Sequence, residues 1–212
     1  MKLKDLLNYL ESYGISKKTL DAFKKIKREW FVPEEYKEFA YYDEVIPLFD
    51  DVTISQPYVL ALMLDELEIS EGLKILEIGT GSGFSTALLS YLVGEKGKVI
   101  SIEINEKAYN YAISKLENLV NKKIIFRNFE VILGNGYYGY EKYKPYDRII
   151  CHASVEEIPK YWLNQIENGI IISPVGKFYQ KLMKYKIENN KIIESKYLLD
   201  VIFVNLKFNK EY

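Results

Sequence analysis

The chain has 212 residues, is 48% hydrophobic, and carries 29 basic against 30 acidic side chains, enough apolar material for one sizeable core at a net charge of −1. That balance offers no global attraction to nucleic acid or to an anionic membrane, so neither is expected as a partner. One cysteine, Cys151, excludes an intrachain disulfide, and one cysteine with one histidine, His152, makes a zinc cluster implausible, so no metal is expected.

Met1-Lys2-Leu3-Lys4-Asp5 lacks the apolar run of a signal peptide, and no stretch approaches the roughly eighteen apolar residues of a membrane span. The expectation is one cytoplasmic domain over 1–212, with a helical N-terminal extension over 1–50, a ligand-binding core over 51–176 and a C-terminal hairpin and strand over 177–212. The number of subunits is not readable from composition.

Leu3, Leu6, Leu7 and Leu10 fall on one helical face, and Ile15-Ser16 followed by Leu20 reads as a staple with Ser16 as N-cap, so the chain opens with two short helices. Thr53-Ile54-Ser55-Gln56-Pro57 reads as a helix start. Ser55 or Gln56 is the N-cap, Pro57 occupies the first turn where its missing N–H costs nothing, and Leu60, Met63, Leu64 and Leu67 form the buried face. Free N–H groups at such a start attract a carboxylate.

Ile75 to Ile78 has the character of a buried strand, and Ser82 to Val93 reads as a helix with Phe84, Ala87, Leu88, Tyr91 and Leu92 inward. Between them Gly79, Gly81 and Gly83 let the backbone turn sharply and let a ligand lie against it. A dinucleotide fingerprint, G-x-G-x-x-G, would place its third glycine where Phe84 stands, which weakens a nicotinamide-cofactor reading. Val99 to Glu103 is the next strand. It ends, about twenty residues past the glycines, in the carboxylate that a nucleoside ribose requires; a residue that merely caps or solvates the strand end is the alternative for Glu103.

Asn105 caps a helix whose inner residues are Tyr109, Ala112, Ile113, Leu116, Leu119 and Val120. Phe129 to Leu133 is a strand ending in Gly134-Asn135-Gly136, at the same sheet edge as Gly79 and Glu103 if the strands are parallel; a plain Asn-Gly turn is the alternative. Asp147 to Cys151 is a strand, Glu157-Ile158-Pro159 opens a helix with Trp162, Leu163 and Ile166 inward, and Gly169 to Val175 is a further strand. Gln180 to Ile187 and Lys191 to Tyr197, joined by Glu188-Asn189-Asn190, form a hairpin before a last strand, Val201 to Lys207. Alternating strands and helices followed by antiparallel strands predict a doubly wound α/β sandwich with a mostly parallel mixed sheet.

The run E-x-G-x-G-x-G from Glu77 to Gly83 resembles the first motif of S-adenosylmethionine-dependent methyltransferases. R-x-x-F-V-P from Arg28, A-Y-x-D ending at Asp43, T-I-S-Q-P from Thr53, P-Y-D-R-I-I from Pro145, E-I-P from Glu157 and the closing P-V-G from Pro174 occur in order around it. Together they resemble protein-L-isoaspartate O-methyltransferase, with Phe203-Val204 and Leu206 resembling its final strand.

The resemblance implies a Rossmann-like methyltransferase fold, S-adenosyl-L-methionine as cofactor, and isoaspartyl-containing proteins and peptides as partners, methylated on the free α-carboxylate as the first step of repair. It places Glu77 and Thr80 among the cofactor-binding residues, Gly79, Gly81 and Gly83 at the methionine end of the cofactor, Glu103 at the ribose, and Asn135 with Gly136 at the adenine. Thr53, Ile54, Ser55 and Gln56 would hold the acceptor, with Ser55 as the catalytic residue.

Two stretches depart from the family pattern. Asn135 stands where relatives read G-D-G, and His152-Ala153-Ser154-Val155-Glu156 stands where they read T-A-A-x-P in flavour, bringing His152 toward the acceptor. A carboxylate acceptor, which ordinarily titrates near a pH of about 4, is already ionised at neutral pH, so the absence of a Ser-His-Asp arrangement does not count against this chemistry. The same fold acting on RNA or a small molecule, or binding the cofactor without catalysis, are the competing readings.

Overall fold

The computed structural model of the protein describes residues 1–49 and 51–208. Helices α1 (Leu3–Ser12) and α2 (Lys17–Lys25) open the chain, and the Ser16 hydroxyl accepts the Thr19 amide as the expected N-cap. Two short 3-10 turns, Arg28–Trp30 and Glu34–Phe39, lead to a small antiparallel pair, β1 (Ile46–Phe49) and β2 (Val52–Ile54), so the first fifty residues are not wholly helical. Helix α3 (Pro57–Glu66) follows at once, with Pro57 in its first turn and Leu60, Met63 and Leu64 buried.

The main sheet comprises β3 (Lys74–Ile78), β4 (Lys98–Glu103), β5 (Phe129–Leu133), β6 (Arg148–Cys151), β7 (Gly169–Val175), β8 (Gln180–Glu188) and β9 (Lys191–Val201), and its spatial order is β5-β4-β3-β6-β7-β8-β9. The first five run parallel and the last two antiparallel. This is the doubly wound mixed sheet that the alternation of elements predicts. Helices α4 (Phe84–Val93) and α5 (Glu106–Asn121) connect β3 to β4 and β4 to β5, and α6 (Lys160–Leu163) lies between β6 and β7.

Successive residues of a strand face opposite sides of the sheet, and both sides here are covered. Ile75, Val99, Ile150, Ile170 and Ile172 pack with α2, α3 and α4; Leu76, Ile78, Ile100, Ile102, Ile149 and Ile171 pack with Trp162, Ile166 and Tyr146. Fully buried polar residues interrupt both faces, Glu77 and Ser101 the first and Ser173 the second. The strand order turns at β3, which has β4 on one side and β6 on the other. The loops after β3, β4, β5 and β6 therefore converge on one edge, the place where open α/β sheets bind ligands.

Three elements differ from expectation. Helix α4 begins at Phe84 rather than Ser82, because Gly83, at φ 86°, is the non-helical residue that precedes its first turn. Helix α6 is a single turn: Trp162 and Ile166 are buried as expected, but the Gln165 carbonyl receives the Tyr146 amide at 2.8 Å and the main chain is drawn out of helical register. The separate last strand over Val201 to Lys207 is not formed. β9 runs to Val201, and among the described residues beyond it only Asn205 makes an isolated bridge, to Ser154. The Gln180 side chain takes both polar groups of the Phe203 main chain, at 2.6 and 2.9 Å, and the Ser154 main chain donates to the Val204 carbonyl and accepts from the Leu206 amide, both at 2.8 Å. These partners fold the segment back toward the converging loops instead of leaving it in the sheet.

Among the described residues, no helix is long and apolar enough to cross a membrane.

Candidate active site

The loop after β3 owes its shape to three left-handed glycines, with φ of 92°, 55° and 86° at Gly79, Gly81 and Gly83, values that cost an L side chain about 1–2 kcal/mol each. Two of them are also crowded. A Cβ at Gly79 would meet the His152 Cβ at 3.3 Å, and one at Gly83 would meet Ala112 and Leu116 at the same distance. At Gly81 such a Cβ would meet, among the described residues, the Thr53 carbonyl oxygen at 3.7 Å, so the glycine loop and the Thr53–Pro57 segment adjoin.

Polar groups buried under the loop hold it from below. Glu77 accepts from the Thr86 hydroxyl on α4, and Thr80 and Ser101 share a hydroxyl hydrogen bond of 2.6 Å. On the cavity side Glu103, only 5% exposed, receives the Gly81 amide on Oε2 and the Asn105 amide on Oε1, both at 2.8 Å. Burial raises its carboxyl pKa above the ordinary range, against the pull of these amides.

Asn135 caps the 3-10 turn Gly136–Tyr138 by accepting the Tyr137 amide at 3.0 Å. The Trp162 indole, on the far face of the sheet, donates to the Gly136 carbonyl at 2.9 Å and pins this loop from behind. Gly136 is needed because a Cβ there would stand 2.4 Å from Ile78 Cγ2. His152 follows β6, with Nε2 3.0 Å from the Ser85 hydroxyl and 3.2 Å from Glu77 Oε1. The thiol of Cys151 is buried and its pKa is pushed up to about 12, so it supplies no nucleophile.

These loops enclose one cavity of about 1260 Å³. Of the sequence candidates, Thr53, Ser55, Gln56, Gly79, Gly81, Glu103, Asn135, Gly136 and His152 line it. Ile54, Glu77, Thr80 and Gly83 lie behind the wall and shape it. Gln56 is the backbone N-cap of α3 but makes no side-chain cap. Asp43 performs that task instead, accepting the Tyr58 amide and the Gln56 side-chain amide, both at 2.7 Å. The first N–H of α3 is thus already occupied. Ser55 contributes a hydroxyl that no group among the described residues engages. Asp43, Ser85 and the cavity-wall residues Phe178 and Tyr179 were not singled out for a role from sequence; the A-Y-x-D motif was the one available signal, for Asp43.

A family model described as protein-L-isoaspartate(D-aspartate) O-methyltransferase (PCMT) matches residues 1–211. The chain is 39% identical over 203 residues to the protein-L-isoaspartate O-methyltransferase of Thermosipho melanesiensis, covering 95% of this chain and all of that one. It is likewise 39% identical over 200 residues to that of Methanococcus maripaludis strain C6, covering 93% and 92%. The chain belongs to the protein-L-isoaspartate O-methyltransferase family.

Solved members share its architecture. One protein-L-isoaspartate O-methyltransferase superimposes with a TM-score of 0.89 at 32% identity over 98% of this chain and 67% of that one. The PCMT of Plasmodium falciparum, in complex with S-adenosyl-L-homocysteine, does so with a TM-score of 0.86 at 26% identity, over 99% of this chain and all of that one. An isoaspartate methyltransferase uses S-adenosylmethionine, and the cavity fits that group. Gly81 leaves an open approach to the loop backbone, and the Glu103 carboxylate is fixed on the wall by two amides, with oxygen lone pairs remaining for hydroxyl donors. Among the described residues no cluster of side chains could hold a metal ion.

Proposed function

We propose that Ser55, flanked by Thr53 and Gln56, presents the α-carboxylate of an L-isoaspartyl residue for methylation, the reaction that family membership assigns to this chain. The supporting observation is the adjacency of two segments across one cavity: the unengaged Ser55 hydroxyl stands on the wall formed by Thr53 to Gln56, and the Thr53 carbonyl lies against the glycine loop. A hydroxyl donates one hydrogen bond, and a carboxylate only accepts. When bound, S-adenosylmethionine supplies an activated methyl group on a sulfonium. The protein orients the acceptor oxygen and excludes water, and no side chain needs to remove a proton.

In the same reading Gly79 and Gly81 seat the methionine end, Glu103 the ribose hydroxyls, and Asn135 with Gly136 the adenine edge. Glu77, Thr80, Gly83 and Ile54 act through the loops they support. His152 closes the acceptor end of the cavity, with Ser85 and Glu77 fixing its ring. The damaged protein is the partner, and a cytoplasmic location and the absence of a nucleic-acid partner belong to the proposal, in keeping with the near-neutral charge and the single buried thiol.

The test is transfer of labelled methyl to two peptides that differ only in carrying isoaspartate or aspartate at one position. Base-labile label on the isoaspartyl peptide alone is the expected result. Label on neither, with calorimetric cofactor binding intact, would turn the reading toward another acceptor.

A further inference from the structure

Arg28 is only 1% exposed, and among the described residues its guanidinium forms no ion pair. It is spent on main-chain carbonyls. Nη1 donates to Ala40 at 2.9 Å and Nη2 to Glu44 at 2.9 Å and Ser55 at 3.1 Å, with approaches of 3.4 Å to Tyr42 and Ile54. Among the described residues Nε has no hydrogen-bond partner. Burial pushes the guanidinium pKa down to about 10, with nearby Asp43 opposing, so the group remains charged at neutral pH.

A buried charge with Asp43 nearby but no carboxylate in direct contact is a costly way to fill space. An apolar side chain of similar volume would pack more favourably, so the guanidinium is explained by what its planar fork connects. It joins the 40–44 segment to residues 54–55. The Ser55 carbonyl receives no other hydrogen bond among the described residues, and the Ser55 hydroxyl receives none, so the fork is the one polar tie on that residue. One and three residues further on, Asp43 ties down the other side through Gln56 and Tyr58.

We infer that Arg28 is the positioning residue for Ser55, setting the depth at which its hydroxyl meets the acceptor carboxylate; this rests on the acceptor role of Ser55 proposed above. Arg28 lies behind the cavity wall and does not touch the acceptor. Its removal acts on the acceptor step and leaves the cofactor loops, which it does not contact, as they are.

The experiment compares Arg28→Lys, Arg28→Met, Ser55→Ala and the Arg28→Lys/Ser55→Ala double variant, reading calorimetric affinity for S-adenosylhomocysteine and kcat and KM with an isoaspartyl peptide. Lysine keeps the charge but lacks the fork. Both single Arg28 variants should bind the cofactor product within about twofold of wild type yet lose about tenfold or more in kcat/KM, the scale of one charged hydrogen bond. The double variant should be no worse than Ser55→Ala alone, because both changes remove one interaction. Losses that multiply, cofactor affinity that falls in step, or loss of the fold in both Arg28 variants would overturn the inference and leave Arg28 a core residue. Wild-type turnover by Ser55→Ala overturns the underlying role of Ser55 itself, and is read separately from the Arg28 variants.

Discussion

His152 Nε2 lies 3.2 Å from Glu77 Oε1, joining the strand that precedes the glycine loop to the residue that follows β6. Glu77 is fully buried, and its other oxygen is taken by Thr86. His152→Ala therefore leaves one oxygen of a buried acid without its partner, a loss of about 1–3 kcal/mol. At roughly 2–4 °C per kcal/mol for a chain of this size, the melting temperature should drop by several degrees. Calorimetry on the variant checks this, and an unchanged melting temperature would show that Glu77 does not depend on the imidazole.

Ser55→Ala should lower kcat/KM for an isoaspartyl peptide by about 10–100-fold, the equivalent of a hydrogen bond of about 1.5–3 kcal/mol to a charged group. Among the described residues the hydroxyl has no partner to lose, so stability and cofactor affinity should remain at wild-type values. Steady-state kinetics with peptide varied at saturating cofactor separates the two effects.

Glu103 gives the cofactor affinity a pH dependence of defined sign. Burial raises its carboxyl pKa, so on acidification the carboxylate is lost at a higher pH than for an exposed glutamate. The ionised form is the better acceptor for ribose hydroxyls, and affinity should weaken as pH falls through the raised value and level off above it. Titration calorimetry across that range should show the trend in wild type. Glu103→Gln should bind more weakly at neutral pH and lose the slope; a slope that survives the substitution assigns it to another group.

Gly83→Ala tests the entry to α4. The left-handed φ of 86° costs an alanine about 1–2 kcal/mol, and its methyl would press on Ala112 and Leu116 at 3.3 Å. Both stability and cofactor affinity should fall, although Gly83 does not line the cavity. A variant that binds cofactor normally would separate the loop shape from the helix start.

Asn135→Asp replaces the amide by the carboxylate that the family resemblance places in G-D-G. An aspartate can keep the bond from the Tyr137 amide, and an ionised acceptor forms hydrogen bonds roughly twice as strong as a neutral one. Cofactor affinity should rise, and isothermal titration would detect a change in either direction.

Strands such as Phe129–Leu133 and Gly169–Val175 were legible residue by residue because each is an apolar run bounded by glycine or polar turns, a signal carried in consecutive positions. The glycine loop and Glu103 were legible for a related reason: their backbone and charge requirements leave few residue types to choose from. Helix α6 and the chain after Val201 were not, because their course is decided by partners far along the chain. Gln165 meets Tyr146, and Gln180 and Ser154 meet residues 203–206.

The sequence by itself determined the doubly wound order of elements, the sheet edge where the loops gather, the family, and the Thr53, Ser55 and Gln56 side of the cavity. Only the tertiary structure decided that Asp43 rather than Gln56 caps α3, that Glu77 and Thr80 hold the glycine loop through buried hydrogen bonds, and that Arg28 reaches both Glu44 and Ser55. Periodicity and turn chemistry are local and can be read along a chain. A buried polar group takes whichever partner the packed layers bring within about 3 Å, and that choice exists only once the layers have closed.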